Sequence, residues 1–454
     1  MNDNGNNDKI DADNINDNTF KYLSHGGKHI IFEICNNTKY ILRCSRSSAV
    51  NNNSNKPINN YVRFSTDIFE KILGTTTYST LMQSHGNSIM KINSNTLKKL
   101  NNEILSKYNS DNNKYNTITI DNPYVNIELN AHYSKEVNDF LQQQTSETNV
   151  NKYHRFSIEI KPKSGVLCRS HLISMKNKIK KEKSIYQLQQ ILKLKKKKID
   201  QISKYDPIDF FHFIDDDKQN VNMKKALKNL FDNPQNNMNI FSIENSTVEN
   251  VSTTNFKEYF KSSNNINNYE NIINHLTNIL MSNKSQILLK QIYNIQAMDD
   301  FDIEGLVKLK LPTFALNTAN ALNFKVDNII NDVNNDGIDK TFGKIGSMNI
   351  NSIINEKIKE DDDHDNNNVL SNSEKIKIIR RFLLSKTAKD LSLVITTIYP
   401  IDHETVNADE LETLPFSIKI IDTDFKPIDK FNEWIQKDLN IMNAYAYFEE
   451  KEGK

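Results

Sequence analysis

The chain has 454 residues, the length of two ordinary domains or of one large domain with insertions, and it can bury a sizeable core. Its 58 basic and 57 acidic residues leave a net charge of +1, which excludes a globally basic nucleic-acid coat and a globally acidic tail protein. Any anionic partner must therefore be held by a local cluster of cations.

Hydrophobic residues make up only 37% of the chain, because asparagine is far above its usual share, and we expect part of the length to be loop or disordered insertion. Cys35, Cys44 and Cys168 make no disulfide framework, which indicates a reducing compartment. The polar first residues lack the apolar core of a signal peptide, and no apolar run approaches the roughly 18 residues of a membrane span. We expect a soluble protein of the cytoplasm and/or nucleus, with no membrane partner.

The amino-terminal part predicts a β-rich unit. Residues 1–18 are rich in Asn and Asp, and we expect a disordered tail. Alternating apolar residues predict strands at 29–34, 39–44, 118–120 and 125–129, the first two forming a hairpin. Weaker signals predict a short helix at 69–73 and helical spacing over 97–105.

After a polar connection at 133–153, strict alternation predicts a strand over 156–161. Phe156, Ile158 and Ile160 would lie on one face of this strand, and Glu159 and Lys161 on the other. Further patterns predict a helix at 222–231, strands at 391–398 and 416–420, and a helix that contains Phe431 and Trp434.

Asparagine is abundant again between about 243 and 375, and we expect an insertion there. Within it, amphipathic helices are expected around 271–281 and 352–359. The acidic tract at 359–368 is typical of a solvated loop.

Glu159, Lys161 and Lys163 project from alternate positions at the end of one predicted strand. Two cations and one carboxylate in that arrangement suit phosphate groups beside a nucleotide. The spacing alone equally fits a solvent-facing polar face, which is the commoner origin of such a pattern.

Two aspartates lie where predicted strands begin or end. Asp390 precedes an apolar strand and Asp422 follows another. Phosphoryl transfer needs one carboxylate that holds a metal ion and another near the attacking hydroxyl, and strand ends supply both roles in many folds. Ordinary turn and capping aspartates are the alternative.

Six short elements, taken in order, form a more specific pattern. They are Glu159-Ile160-Lys161-Pro162-Lys163, the segment 186–195, Tyr205-Asp206-Pro207-Ile208-Asp209-Phe210, Pro234-Gln235-Asn236-Asn237, Ala388-Lys389-Asp390-Leu391-Ser392, and the segment 422–427 that begins at Asp422 and ends in Lys-Pro. Together they resemble the inositol-pentakisphosphate 2-kinase family. Looser matches are the glycine pair at 26–27, Leu42-Arg43 and Leu129-Asn130-Ala131-His132.

The resemblance implies an α+β fold of two lobes, the inositol-phosphate-kinase fold, which is distantly related to protein kinases, here with Asn-rich insertions. It places an amino-terminal lobe at 19–132, a connection between lobes at 133–158 and a carboxyl-terminal lobe at 159–454, with the Asn-rich insertion at about 243–375.

The resemblance also implies a reaction, in which the γ-phosphoryl of ATP moves to the 2-hydroxyl of inositol 1,3,4,5,6-pentakisphosphate to give phytate. Asp390 would be the catalytic base, Asp422 would hold Mg²⁺, and Lys161 would act in catalysis. The nucleotide would be bound by Arg43, Asn130, His132, Glu159 and Lys161. The inositol phosphates would be bound by Lys163, Lys193, Asn236, Lys426 and Lys430. Five phosphates carry about −8 to −10 charges, so such a ligand demands many cations.

Several positions depart from the family pattern. Gln189 replaces a His, Asn239 an Arg, Lys430 an Arg and Trp434 a Tyr, and Lys lacks the bidentate fork of Arg. Plant and animal members share a Cys/His zinc site in the carboxyl-terminal lobe. No cysteine follows Cys168 here, so we expect no zinc.

Two other interpretations remain open for the whole chain. The first is a catalytically silent inositol-polyphosphate or nucleic-acid binding protein on the same fold, and the second is a kinase for a less phosphorylated inositol. The lysine tracts at 176–183 and 195–198 fit a nuclear-localisation or nucleic-acid patch, but a solvated face beside the substrate channel is the simpler interpretation. We therefore expect ATP and the pentakisphosphate as partners, no nucleic acid, and a monomer.

Overall fold

The fold was analysed in a computed structural model of the chain. The structure describes residues 20–25, 29–34, 40–45, 88–91, 93–108, 124–143, 153–213, 216–244, 247–259, 268–318, 370–400, 411, 413–423, 426 and 428–452. Statements about structure below refer to these residues.

The first of two antiparallel sheets is built from the amino-terminal part. Its strands are β1 (Phe20–His25), β2 (His29–Ile34), β3 (Tyr40–Ser45), β4 (Ser88–Lys91) and β5 (Tyr124–Leu129), in the spatial order β1-β2-β3-β5-β4. The predicted pairing of 29–34 with 39–44 is confirmed by the antiparallel register of β2 and β3. The helical spacing at 97–105 corresponds to helix α1 (Ser94–Tyr108).

The alternation in β2 and β3 gives this sheet one apolar face, which packs on α1. The buried cluster contains Ile30, Phe32, Ile34, Tyr40, Leu42, Cys44, Leu100 and Ile104. Glu33 points to the other side of β2 and is nevertheless buried, and burial raises its pKa.

The second sheet carries the predicted catalytic segments. Its strands are β6 (Tyr153–Ile160), β7 (Met238–Glu244), β8 (Thr247–Val251), β9 (Ser392–Pro400) and β10 (Phe416–Ile421), in the spatial order β10-β9-β6-β7-β8. The strands predicted at 156–161, 391–398 and 416–420 are therefore confirmed, with ends shifted by one to three residues. All pairs of neighbouring strands are antiparallel.

Strand β6 lies at the centre of this sheet, with β9 on one side and β7 on the other. As the alternation predicts, Phe156, Ile158 and Ile160 are buried in the core. The predicted boundary between residues 158 and 159 falls inside this strand. β6 pairs with β9 from Tyr153 onward. The domain limits stay predictions.

Helices pack on both faces of the second sheet and extend beyond it. They are α2 (Lys135–Gln143), α3 (Ile185–Lys195), α4 (Pro207–Phe210), α5 (Asp216–Asp232), α6 (Thr253–Tyr259), α7 (Asn268–Met281), α8 (Asn283–Gln296), α9 (Asp302–Lys308), α10 (Leu311–Thr318), α11 (Asn372–Ala388) and α12 (Phe431–Glu452). Two 3₁₀ segments, Met175–Lys181 and Ile428–Lys430, complete the helical elements described. Among the described helices, none has the length and apolar character to cross a membrane.

The range expected to be an insertion contributes to the core. Ile272 and Leu276 of α7 and Leu288 of α8 belong to the same buried cluster as Ile158 of β6. The helix predicted at 271–281 is confirmed by α7. This part of the chain is rich in asparagine, but its apolar residues lie at helical spacing and fill the core. That this segment is an insertion relative to the family stays a prediction.

Two polar stretches also differ from expectation. The connection at 133–153 contains α2, whose Ser134 hydroxyl accepts the N–H of Val137 at the helix start. In the lysine tract, Lys180 is not a solvated side chain. It is 3% exposed, and its ammonium lies 2.8 Å from Asp302 and 2.7 Å from Asp438. These two carboxylates raise its pKa although burial opposes this.

Some predictions concern residues outside the described ranges. These are the tail at 1–18, the glycine pair at 26–27, the helices at 69–73 and 352–359, the strand at 118–120 and the acidic tract at 359–368.

Gly165, which follows the lysine-rich end of β6, lies against an aromatic ring. A Cβ atom added to this residue would come within 2.4 Å of Phe211 Cδ2 and 2.7 Å of Phe211 Cβ. Phe211 is itself 4% exposed and belongs to the main core. The close approach explains why glycine suits this position better than any larger residue.

We expect Gly165→Ala to lower the free energy of unfolding by about 1–3 kcal/mol, because either the ring or the backbone must move. Denaturant unfolding of the purified protein measures this directly. In a protein that already carries Phe211→Ala, which lacks the Cγ and Cδ2 atoms, the same glycine substitution should be less harmful, and equal losses in both backgrounds would contradict the proposed clash.

Candidate active site

Three strand ends meet at one edge of the second sheet. Ile160, the last residue of β6, pairs with Leu393 of β9, and Ile421, the last of β10, pairs with Ser392. Because the pairing is antiparallel, the chain leaving β6 and β10 lies beside the chain entering β9. The residues just outside these strands, which include Lys161, Asp390 and Asp422, are thereby brought together.

Lys161 and Asp422 form the first half of the cluster. The Lys161 Nζ donates to Asp422 Oδ2 at 2.9 Å and lies 3.8 Å from Glu159 Oε1. Burial would raise the pKa of Asp422, but Lys161 lowers it below its ordinary value. Burial would lower the pKa of Lys161, but Asp422 and Glu159 raise it. Ser392 also donates its hydroxyl to Asp422 Oδ2, at 3.1 Å.

Asp390 forms the second half and is shared by two lysines. Lys163 Nζ lies 3.3 Å from its Oδ1, and Lys426 Nζ lies 2.9 Å from its Oδ2. Burial opposes ionisation of Asp390, yet Lys426 and Lys163 together lower its pKa to about 2. At neutral pH the carboxylate is therefore charged and acts as the counter-ion of both ammonium groups.

The backbone is strained at both halves of the cluster. Lys163 has a φ of 62° and Asp422 a φ of 61°, in the left-handed region that non-glycine residues rarely occupy. Such conformations persist only where surrounding contacts enforce them. The sequence elements that match the family pattern supply some of those contacts.

Two of these elements hold the segment that follows β6. The Lys161 N–H donates to the carbonyl of Asn237 at 2.7 Å, and the buried Tyr205 hydroxyl donates to the carbonyl of Pro162 at 2.8 Å. Asn237 in turn donates its side-chain amide to the Tyr186 hydroxyl at 3.0 Å. Tyr205 and Asn237 of the sequence pattern therefore position the backbone segment that carries Lys161 and Lys163.

The turn after β5 packs on the face of the second sheet that lies opposite the main core. Lys419 of β10 donates its ammonium to the carbonyl of Asn130 at 3.1 Å and also to the carbonyl of Tyr133. The His132 ring lies 4.4 Å from the ring of Phe241 of β7. Asn239, two residues earlier in β7, donates to Glu159 at 3.0 Å. Because residues two apart share a face, His132 and Glu159 lie on the same side of the sheet.

A cavity of 280 Å³ adjoins this turn. It is lined by Asn130, His132, Tyr133, Asn138, Leu141, Gln142, Arg155, Ile243 and Val248. Burial, together with the nearby Lys419 and Arg155, lowers the pKa of His132 to about 3, so the imidazole is neutral. The Asn130 side chain accepts the N–H of His132 at 3.0 Å, which fixes the turn.

Arg43 of β3 approaches the cluster from the first sheet. It is close enough to Asp422 to contribute to the lowering of that residue's pKa. Groups from both sheets therefore contribute to the electrostatic surroundings of Asp422.

The remaining predicted ligands lie around the cluster with different partners. Lys193 of α3 donates to Gln235 at 3.4 Å, and burial followed by Lys163 and other lysines lowers its pKa. Asn236 is exposed in the turn beside Gln235. Lys430 pairs with the exposed Glu433 at 3.5 Å. The helix α12 begins only at Phe431, so Lys426 and Lys430 lie before it.

Sequence reasoning missed one cation of this region, Lys437 of α12. Burial lowers its pKa, Asp390 raises it and Lys163 lowers it further, so it lies within electrostatic reach of the cluster. Its position three residues after Trp434 on a helix was the available signal.

The carboxylates of the cluster determine whether this region could hold a magnesium ion. Among the described residues, no group of three His, Cys, Asp or Glu side chains is placed to hold a metal. Mg²⁺ in kinase-type sites is bound through one or two carboxylates together with substrate phosphates. Asp422, with 41% of its side chain exposed, fits that kind of site.

The charged side chains of the cluster suit phosphoryl transfer. Two ionised carboxylates at one sheet edge pair with Lys161, Lys163 and Lys426. Lys193 and Lys437 lie within electrostatic reach of Lys163. Cations set this way suit phosphate oxygens, and the two carboxylates suit a metal ion and an attacking hydroxyl. The fold and the site thus define a mixed α+β protein with a candidate phosphoryl-transfer site.

Comparison with known proteins agrees with this class. The sequence profile of the inositol-pentakisphosphate 2-kinase family matches residues 22–440, which is most of the chain. The chain therefore belongs to the inositol-pentakisphosphate 2-kinase family, and the resemblance in its motifs is confirmed.

Individual relatives are more distant. The inositol-pentakisphosphate 2-kinases of Oryza sativa subsp. indica and subsp. japonica are each 28% identical over 316 residues, which cover 64% of this chain. The inositol-pentakisphosphate 2-kinase of Arabidopsis thaliana is 40% identical over 85 residues, 19% of this chain and 18% of that protein. The chain spans 60% of the length of the two rice proteins.

The pH dependence of stability tests the pairing of Asp390 with its lysines. Its folded pKa of about 2 lies below the ordinary value of 3.8, so the pairing stabilises the fold above about pH 4 and loses this effect as pH falls toward 2. We expect Asp390→Asn to lower the free energy of unfolding at neutral pH. The loss should be at most about 1 kcal/mol, because 53% of the side chain is exposed.

Denaturant unfolding of both proteins at several pH values checks this. The difference between wild type and Asp390→Asn should shrink as the pH falls below about 4. A difference that stays constant through the acid range would show that Asp390 has no such ionic pairing.

Proposed function

We propose that this protein transfers the γ-phosphoryl group of ATP to the 2-hydroxyl of inositol 1,3,4,5,6-pentakisphosphate, giving inositol hexakisphosphate and ADP. The observation that carries the proposal is the pair of carboxylates, Asp390 and Asp422, held among lysines at one sheet edge. Family membership supports the substrate class. We further propose that the two sheets form two lobes of a kinase-like fold, with the nucleotide between them.

On the nucleotide side, Lys161 and Arg43 would contact the phosphates of ATP, since both lie beside Asp422. Asp422 would hold Mg²⁺, which when bound neutralises phosphate charge. Asn130, His132 and Glu159 would line the base and ribose. Their shared side of the second sheet supports this, because His132 contacts Phe241 and Glu159 contacts Asn239.

On the substrate side, the inositol phosphates would be held by Lys163, Lys193, Asn236, Lys426 and Lys430. In the protein without ligand, Lys163 and Lys426 are neutralised by Asp390. A phosphate that binds these lysines replaces the carboxylate as counter-ion. The pKa of Asp390 would then rise from about 2, because the two groups that lower it would be engaged elsewhere.

This exchange of counter-ions suits the role of Asp390 as general base. The carboxylate would accept the proton of the 2-hydroxyl as that oxygen forms its bond to the γ-phosphorus, and the β–γ bridging oxygen would leave with the bonding electrons. Lys161 would stabilise the charge that develops on the phosphate oxygens. A carboxylate released from its lysines is a better proton acceptor than one with a pKa of about 2.

Two rival functions make different demands on these residues. A silent binding protein needs neither a metal-holding carboxylate nor a proton acceptor, so two aspartates that suit both roles favour the enzyme. A kinase for a less phosphorylated inositol would use the same aspartates and fewer cations. The number of lysines within reach of Lys163 supports the more phosphorylated substrate.

We expect the purified full chain to convert ATP and the pentakisphosphate into ADP and the hexakisphosphate in equal amounts, in the presence of Mg²⁺. Asp422→Asn should lower this turnover by at least about 100-fold, because the metal-holding carboxylate is removed. Product separation by anion-exchange chromatography measures both. Comparing turnover across inositol phosphates with fewer phosphate groups identifies the preferred substrate.

Asp429→Asn is a matched control, since Asp429 is an exposed aspartate in the neighbouring 3₁₀ turn. Its turnover should equal that of the wild type. Tight binding of the pentakisphosphate without any turnover by the wild type would overturn the enzymatic proposal in favour of the binding protein.

A further inference from the structure

Gln296, the last residue of α8, connects the two segments that carry the site. Its Nε2 donates to the carbonyl of Lys163 at 2.8 Å and to the carbonyl of Ala388 at 3.0 Å. Its Oε1 accepts the N–H of Gly165 at 3.0 Å. The residue is fully buried, so one amide satisfies three backbone groups away from water.

On one side, this amide holds the strained part of the segment after β6. Lys163 has a left-handed backbone, and both its own carbonyl and the N–H of Gly165 are bound to Gln296. Contacts that enforce such a conformation oppose its relaxation. The direction in which the Lys163 side chain leaves the backbone therefore depends on Gln296.

On the other side, the amide caps the helix that leads to Asp390. Ala388 is the last residue of α11, and the carbonyls at a helix end have no partner within the helix. Gln296 supplies that partner two residues before Asp390. The N–H of Asp390 is bound to the carbonyl of Thr387 at 3.0 Å, so the turn that carries the carboxylate is fixed at both points.

The end of α8 is itself fixed to α11. The Ser385 hydroxyl donates to the carbonyl of Gln296 at 2.6 Å. Directly after it, Asp299 pairs with Lys389 at 2.7 Å and Asp300 with Arg381 at 2.8 Å. These contacts make the amide a rigid connection between α11 and the segment after β6.

We propose that Gln296 is a positioning residue that sets the distance between Lys163 and Asp390, and hence between the bound phosphate and the attacking hydroxyl. The inference rests on the proposed function, which assigns those two roles. Gln296 touches neither substrate nor metal and acts through the backbone of the residues that do. An error of about 1 Å in such an arrangement lowers a rate by about 100-fold.

The test compares two glutamines on the same helix. Gln296→Met keeps the length of the side chain and removes its three hydrogen bonds. Gln286→Met is the matched control, because Gln286 donates to the carbonyl of Leu280 at 2.7 Å and lies about 15 Å along the helix from Gln296. Turnover, KM for the pentakisphosphate and the free energy of unfolding are measured for both.

We expect both variants to lose stability, but only Gln296→Met to lose kcat, by about 100-fold and by more than its KM rises. The kcat of Gln286→Met should stay within about threefold of wild type, since nothing near the site changes. A wild-type kcat in folded Gln296→Met would overturn the inference, because the residue would then be merely structural.

Should Gln296→Met fail to fold, Ser385→Ala decides the matter. It removes only the bond to the Gln296 carbonyl, and we expect a loss of about tenfold in kcat from a smaller displacement. An unchanged kcat would overturn the inference. If the wild type shows no turnover, the proposed function fails. The affinity of Gln296→Met for the pentakisphosphate then tests the inference by itself. An affinity equal to that of wild type would overturn it, because Lys163 would not be positioned by Gln296.

Discussion

The pairing of lysines with two aspartates at one sheet edge is the interaction on which the site depends. Lys161 neutralises Asp422, and Lys163 with Lys426 neutralises Asp390. Unpaired ammonium groups crowded this closely would repel one another and destabilise the fold. The carboxylates allow a chain with a net charge of only +1 to keep a dense local set of cations ready for an anionic ligand.

The fold provides this pairing through antiparallel register. The ends of β6 and β10 lie beside the start of β9, so residues 261 positions apart in sequence, Lys161 and Asp422, form a hydrogen bond. The left-handed backbone at Lys163 is held by Gln296, and the two residues before it are held by Asn237 and Tyr205, which come from distant elements. The core beneath the sheet therefore serves the site as well as stability, because it carries the residues that fix these turns.

Local pattern predicted the strands well, because alternation in β6 and β10 reflects burial of one face and the largely apolar run in β9 reflects burial of both faces. The candidate site was predicted through motifs, and the structure brings Lys161, Lys163, Asp390, Asp422 and Lys426 together. Between 243 and 318 the apolar spacing predicted α7 in spite of the high asparagine content, whereas α8 was not predicted. Gln296 carried no local signal, since its importance comes from tertiary contacts that no single segment encodes.

The affinity of Asp390→Asn for inositol pentakisphosphate, measured by calorimetry against wild type, tests the exchange of counter-ions most directly. The substitution keeps the shape of the side chain but releases Lys163 and Lys426 from their internal carboxylate. We expect the variant to bind the ligand about tenfold more tightly, which corresponds to about 1.4 kcal/mol. Equal or weaker binding by the variant would contradict the account, because the two lysines would then not be the groups that receive the phosphates.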